Sequence, residues 1–149
     1  MKKQLIKGFY FIMRIMALDY GFARIGIALS DESGTIASPF TTIKNENSVK
    51  KIKTLVEEKK VDKIIIGIPS DHEGNDTIQS EKVRNFFNKI KDNIDVCVEL
   101  FDENYTTRDA YDILKEVGYS MKKSKKLVDE FAASIILREY IKWSKNQSS

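Results

Sequence analysis

Three acidic side chains in this 149-residue sequence stand where a carboxylate is costly unless a cation meets it. Asp19 ends an otherwise apolar run, Ile-Met-Ala-Leu-Asp-Tyr-Gly at 15–21, and an unpaired charge there must be desolvated. Glu103, with Asp102 beside it, lies in Phe-Asp-Glu-Asn-Tyr-Thr-Thr at 101–107. Asp129 precedes Ala132 and Ala133 by three and four residues, so on a helix all three share one face and the small pair permits close approach to a sheet. Three convergent carboxylates are the hard oxygen donors that Mg²⁺ or Mn²⁺ takes, with water and phosphate completing the shell. Two such ions about 4 Å apart activate a water and stabilise the departing oxygen of a phosphodiester. Each acid also has a plain structural explanation: a turn former, a solvated loop residue, a first-turn helix acid favoured by the dipole. Spacing alone leaves both explanations open.

The elements that must position these acids follow from hydrophobic periodicity. A mostly apolar strand runs from Arg14 to Asp19, a short turn leads to a second strand at Ile25–Asp31, and Asp31-Glu-Ser-Gly34 is a turn signal before a third strand at 35–43. Pro39 breaks that third strand or places it at an edge. Val49, Ile52, Leu55 and Val56 recur at helical spacing, predicting an amphipathic helix over 47–60. Lys63-Ile-Ile-Ile-Gly-Ile68 reads as a fully buried strand of the parallel kind. A polar loop over 69–76 precedes a helix at 77–91, with Ile78, Val83, Phe86, Phe87 and Ile90 inward, and Ile94, Val96, Val98 and Leu100 alternate in a fifth strand. Thr106 with Asp109 suggests a capped helix at 107–117 closed by Gly118, and a final helix covers Ser124 to Trp143. This order predicts an α/β domain: a mixed five-stranded sheet, an antiparallel meander plus parallel strands, flanked by helices. Its bounds are expected at 13–143, with 1–12 a non-core extension, Met13 an alternative start, and 144–149 a polar tail.

Composition narrows the partners. Residues 1–12 carry three lysines and no acid, so the formal charge of +3 resides in them and the remainder is formally neutral. A nucleic-acid argument must therefore rest on local clusters. Lys122, Lys123, Lys125 and Lys126 form one, within about a turn of Asp129, and Arg24 in the turn after Asp19 is a second cation; a solvated face is the alternative for the lysines. Tyr20 and Tyr105 could stack on unpaired bases, though walling a sheet edge suits them better. His72 is the single histidine and cannot build a histidine metal site. Cys97 is the single cysteine, on an alternating strand pattern, and reads as a small core or sheet residue rather than a nucleophile. One cysteine precludes an internal disulfide and the apolar runs are too short to cross a bilayer, so a cytoplasmic protein with no membrane partner is expected. The apolar stretch within 1–12 is too short for a secretion signal.

Residues 13–31, Met-Arg-Ile-Met-Ala-Leu-Asp-Tyr-Gly-Phe-Ala-Arg-Ile-Gly-Ile-Ala-Leu-Ser-Asp, closely resemble the opening motif of the YqgF (RuvX) family of Holliday-junction-resolvase-like proteins. Phe-Asp-Glu-Asn-Tyr-Thr-Thr-Arg-Asp-Ala at 101–110 resembles its second motif, and Lys-Leu-Val-Asp-Glu-Phe-Ala-Ala-Ser-Ile-Ile-Leu at 126–137 its third. The resemblance spans Met13 to about Trp143. It implies an RNase H-like fold and a nuclease of the bacterial cytoplasm that matures the 5′ end of pre-16S rRNA or resolves branched DNA. Its acids map onto Asp19, Glu103 and Asp129, as catalytic residues and ligands of Mg²⁺ or Mn²⁺. Two departures stand out. Asn104 replaces the usual Arg after the Asp-Glu pair, removing a fixed cation; Asp71 stands where an Asn is usual in the loop.

Three readings remain at this level. One is a metal-dependent nuclease on pre-rRNA or branched DNA, as a monomer or, if it makes paired cuts in a symmetric junction, a homodimer. A second is a non-catalytic nucleic-acid-binding domain on the same fold, which Asn104 favours. A third, an ATPase or sugar-kinase relative, is disfavoured by a chain that supplies one lobe.

Overall fold

A computed structural model describes residues 13–69, 77–103, 116 and 125–147. The extension at 1–12, most of the 69–76 loop with Asp71 and His72, nearly all of the 107–117 helix with its Thr106–Asp109 cap, Asn104, Tyr105 and Gly118, Lys122 and Lys123, and the last two residues of the 144–149 tail lie outside them.

The elements are β1 (Ile15–Tyr20), β2 (Arg24–Ser30), β3 (Ala37–Lys44), α1 (Ser48–Glu58), β4 (Lys63–Ile68), α2 (Ile78–Asn93), β5 (Cys97–Asp102) and α3 (Lys125–Gln147). One sheet carries all five strands in the order β3-β2-β1-β4-β5. The two hairpin connections make β1–β2 and β2–β3 antiparallel, while the helical crossovers make β1–β4 and β4–β5 parallel. The mixed sheet expected from the element order is therefore present.

Its apolar chemistry differs on the two faces. Met16, Leu18, Ile25, Ile27, Ile64 and Ile66 point to one side and pack on Ile52 and Val56 of α1 and on Val83, Phe86 and Ile90 of α2. Each fully buried isoleucine or leucine here contributes roughly 1.5–3 kcal/mol, which anchors the central strands firmly. The other face is built from small residues, Ala17 and Ala28, with Ile15, Ile65 and Phe101, and receives Ala133, Ile136, Leu137, Tyr140 and Ile141 of α3. Small side chains on both partners let this helix lie close.

Local details bear out the edge position expected of Pro39 and correct other expectations. Pro39 sits on β3 at the edge of the sheet, opposite Ala28, where the register shifts between Ile27 and Ala28 and Phe40 becomes the extra residue of a bulge. Proline lacks the N–H that an interior ladder would demand. Ile78, expected inward, is 78% exposed: it opens α2 directly after the Thr77 cap, before the helix has turned onto the core. Ile94 belongs to the helix end rather than to β5. Of the two places expected for Cys97, core or sheet, it takes the sheet, exposed at the start of edge strand β5. The last helix continues past Trp143 to Gln147, because a polar surface stretch without glycine or proline does nothing to stop it. Among the described residues no helix is long and apolar enough to cross a membrane.

Candidate active site

The carboxyl end of β1 is the point where two edges of chemistry meet. Asp19 and Tyr20 point to opposite faces, as successive strand residues must. Asp19 lies on the α3 face, paired across the antiparallel ladder with Gly26. On its other side the parallel ladder pairs Leu18 with Ile66, which places Gly67 alongside Asp19. Asp19 is thus flanked by two glycines, one on each neighbouring strand.

Those glycines are occupied by the other two acids. A Cβ on Gly26 would lie 2.0 Å from the carbonyl oxygen of Asp129 and 2.4 Å from its carbonyl carbon. The first turns of α3 therefore rest on bare strand backbone, and that contact delivers Asp129 to the site. A Cβ on Gly67 would lie 2.9 Å from Oε1 of Glu103 and 2.7 Å from Cδ1 of Ile136. The Glu103 side chain folds back over Gly67 from just beyond β5. The sequence assigns neither glycine a place beside the acids; its signal is a lone glycine inside an apolar strand, which marks close approach of another group.

Electrostatics couples Asp19 to the other two acids. Asp19 is pushed up to about 7, by burial first and then by the charges of Glu103 and Asp129. Its carboxyl is surrounded by protein, yet the residue keeps a partial opening to solvent. Burial also raises Glu103, with the neighbouring Asp102 carboxylate adding to it. Asp129 is neutralised differently: its Oδ2 accepts from Arg24 Nε at 2.8 Å, with both side chains about a third exposed. Arg24, read from sequence as a phosphate contact, thus holds an acid in place.

The donor set suits a hard divalent cation, since a raised carboxylate beside two others lacks positive charge that such an ion would supply. Among the described residues no group of three acidic, histidine or cysteine side chains already converges as a ready-made cage. Of the predicted lysine track, Lys125 and Lys126 lie in the first turn of α3, where only their backbone is described. Tyr20 sits on the opposite face, its ring 4.6 Å from that of Phe86, so it walls the core.

Comparison with known proteins agrees with this architecture. A protein from Clostridium acetobutylicum named "Putative pre-16S rRNA nuclease" is 43% identical over 132 residues, covering 87% of this chain and 98% of that protein. Proteins of the same name from Thermoanaerobacter pseudethanolicus and Syntrophus aciditrophicus are 40% and 41% identical, over 91% and 87% of this chain and 100% and 88% of theirs. Among solved structures, Thermus thermophilus RuvC in complex with a Holliday junction substrate matches with a TM-score of 0.61 at 10% identity, over 90% of this chain and 96% of that one. At that identity the likeness speaks to the fold alone, which is RNase H-like. The family model described as RuvX, Holliday junction resolvase, matches residues 13–143, and this chain belongs to that family.

Proposed function

We propose that this chain is a metal-dependent nuclease that hydrolyses phosphodiester bonds of structured nucleic acid, with precursor 16S rRNA as its substrate. The observation that carries the reading is Asp19: a shielded carboxyl, pushed to about 7, with Glu103 and Asp129 close enough to raise it. Such a cluster is a cost to the fold that makes sense as a cation site. Asp19, Glu103 and Asp129 would hold Mg²⁺ or Mn²⁺, which would supply Lewis acidity towards the phosphoryl oxygens and make a bound water a stronger acid. The chain's own contribution is to hold Asp19 on strand β1, Glu103 just past the end of β5 and Asp129 on helix α3, with Asp19 shielded from solvent. The lysines at 122, 123, 125 and 126 would track phosphate towards the site.

Arg24 fits this scheme as the group that positions Asp129 and offsets one of three negative charges. Because the pair is partly exposed, Arg24→Gln should change stability by no more than about 1 kcal/mol. Its cleavage rate should nevertheless fall, since Asp129 loses its tether. Equal rates for the variant and the parent protein, measured at saturating Mn²⁺, would remove Arg24 from the site.

The direct test is cleavage of a precursor 16S transcript by purified protein with Mn²⁺ or Mg²⁺, against Asp19→Asn as control. Metal-dependent shortening of the 5′ end, absent in the variant, is the expected result. Preferential cutting of a four-way DNA junction would shift the substrate to branched DNA, a reading favoured by the family description. Tight binding by both proteins without cleavage of either substrate would leave a non-catalytic binding domain.

A further inference from the structure

On the sheet face opposite the acids, α1 and α2 flank an open groove of about 720 Å³. Lys50 and Lys53 of α1 line one wall, and Lys82 and Lys89 of α2 the other. Among the described residues no acidic side chain lines it. Among the described residues the ammonium groups of Lys50, Lys53, Lys82 and Lys89 meet no carboxylate within ion-pair distance, so four cations face one cleft with no counter-charge from those residues. Side-chain amides of Asn45, Asn85 and Asn93 intersperse them. Tyr20 and Phe86, ring on ring, contribute the aromatic part of the lining.

The groove is tied to the acidic centre through one strand end. Tyr20 lines it, and the adjacent Asp19 faces the other way. Gln79 of α2 donates from Nε2 to the Tyr20 carbonyl at 3.3 Å, which fastens the start of α2 to the tip of β1. Between the two faces stands the β1–β2 turn, where Phe22 is 84% exposed and carries the Lys82 ammonium 5.4 Å from its ring centre. An exposed aromatic between an acidic pocket and a lysine-lined groove gives a base something to stack on at the crossing.

We propose that the α1–α2 groove binds the phosphate backbone of a single nucleic-acid strand that passes over Phe22 on its way to or from the acidic centre. This rests on the nuclease reading for its direction, though not for its binding chemistry. Lysines offer point charges to phosphates, the amides offer donors and acceptors to sugars and base edges, and neither demands a base sequence. Sequence-independent contact is what an enzyme needs on the flank of its cut. A free nucleotide presents the same phosphate chemistry, so strand length must enter the test.

The test compares Lys50→Gln/Lys53→Gln/Lys89→Gln with a control of equal charge change elsewhere, Lys60→Gln/Lys142→Gln/Lys145→Gln, in the full-length chain. All six lysines are exposed, so folding should be unaffected. Binding of fluorescent AMP and of a fluorescent 15-nucleotide single-stranded RNA is followed by anisotropy in chelator, across a salt series. The groove variant should lose affinity for the 15-mer by about tenfold and flatten the slope of log Kd against log salt by about 2, since each neutralised phosphate counts roughly 0.7. The control should retain the parental slope and affinity. Equal slopes for groove variant and parent overturn the proposal, as does equal loss in both variants, which would reflect overall charge. Equal groove-dependent affinity for AMP and the 15-mer would also overturn it, making the groove a nucleotide site. Robust cleavage with unchanged slopes refutes the groove alone. A flattened slope in a chain that cuts nothing refutes the nuclease reading alone.

Discussion

Asp19→Asn should abolish cleavage and, at the same time, make the metal-free protein more heat-stable at pH 8. The two effects have one origin. The Asp19 carboxyl is raised from 3.8 to about 7, so the folded protein holds a proton there that the unfolded chain has already released between those values. Below the unfolded value both states are protonated and the group costs nothing. As pH rises from about 4 towards 7 that stability is lost, and above 7 the folded state bears the full penalty of a shielded charge. At 1.36 kcal/mol for each unit, the penalty reaches up to about 4 kcal/mol, and the residual opening to solvent reduces it. Asparagine keeps the shape and removes the charge. In a chelator-treated sample, thermal unfolding at pH 8 should rise by several degrees in the variant, and the gap should shrink at pH 4. Added Mn²⁺ should stabilise the parent protein and not the variant. A variant less stable than the parent at pH 8 without metal would show that the carboxylate is satisfied from within, and the case for a cation site would go with it.

Gly26→Ala should inactivate the protein while leaving every acid in the sequence. Alanine in place of a strand glycine ordinarily stabilises slightly, through the entropy of the unfolded chain. Here its methyl would fall 2.0 Å from the Asp129 carbonyl oxygen, and helix backbone cannot rotate aside as a side chain can. Either α3 lifts or β2 sinks, at a cost on the order of 3 kcal/mol. Displacing α3 carries Asp129 away from Asp19, so activity should be lost even in molecules that stay folded. Gly67→Ala provides the contrast. The atoms nearest its methyl would be side-chain atoms of Ile136 and Glu103 rather than backbone, and these can swing away, so stability should change little while the displaced Glu103 lowers the rate. Denaturant unfolding beside single-turnover cleavage separates the two. Parental activity in Gly26→Ala would mean that Asp129 need not stand where α3 places it.

These glycines mark the boundary between what local sequence encodes and what assembly adds. Periodicity in 15–30, 49–56 and 63–68 determined three strands and a helix, because side-chain spacing alone tells a strand from an amphipathic helix. It also determined the sheet's mixed character, since short connections force antiparallel pairing and helical crossovers force parallel pairing. The motifs around Asp19, Glu103 and Asp129 named the acids, and Pro39 announced an edge. Tertiary structure alone decided the rest. Nothing local states that Gly26 and Gly67 would stand on either side of Asp19, because strand order arises from which apolar faces bury against which helix. Nor could the residues near Arg24 reveal that it would bind Asp129, 105 positions away. The α1–α2 groove, too, joins lysines from two helices that are unremarkable singly. A charge acts through distance in space, and distance in space is what a linear sequence does not contain.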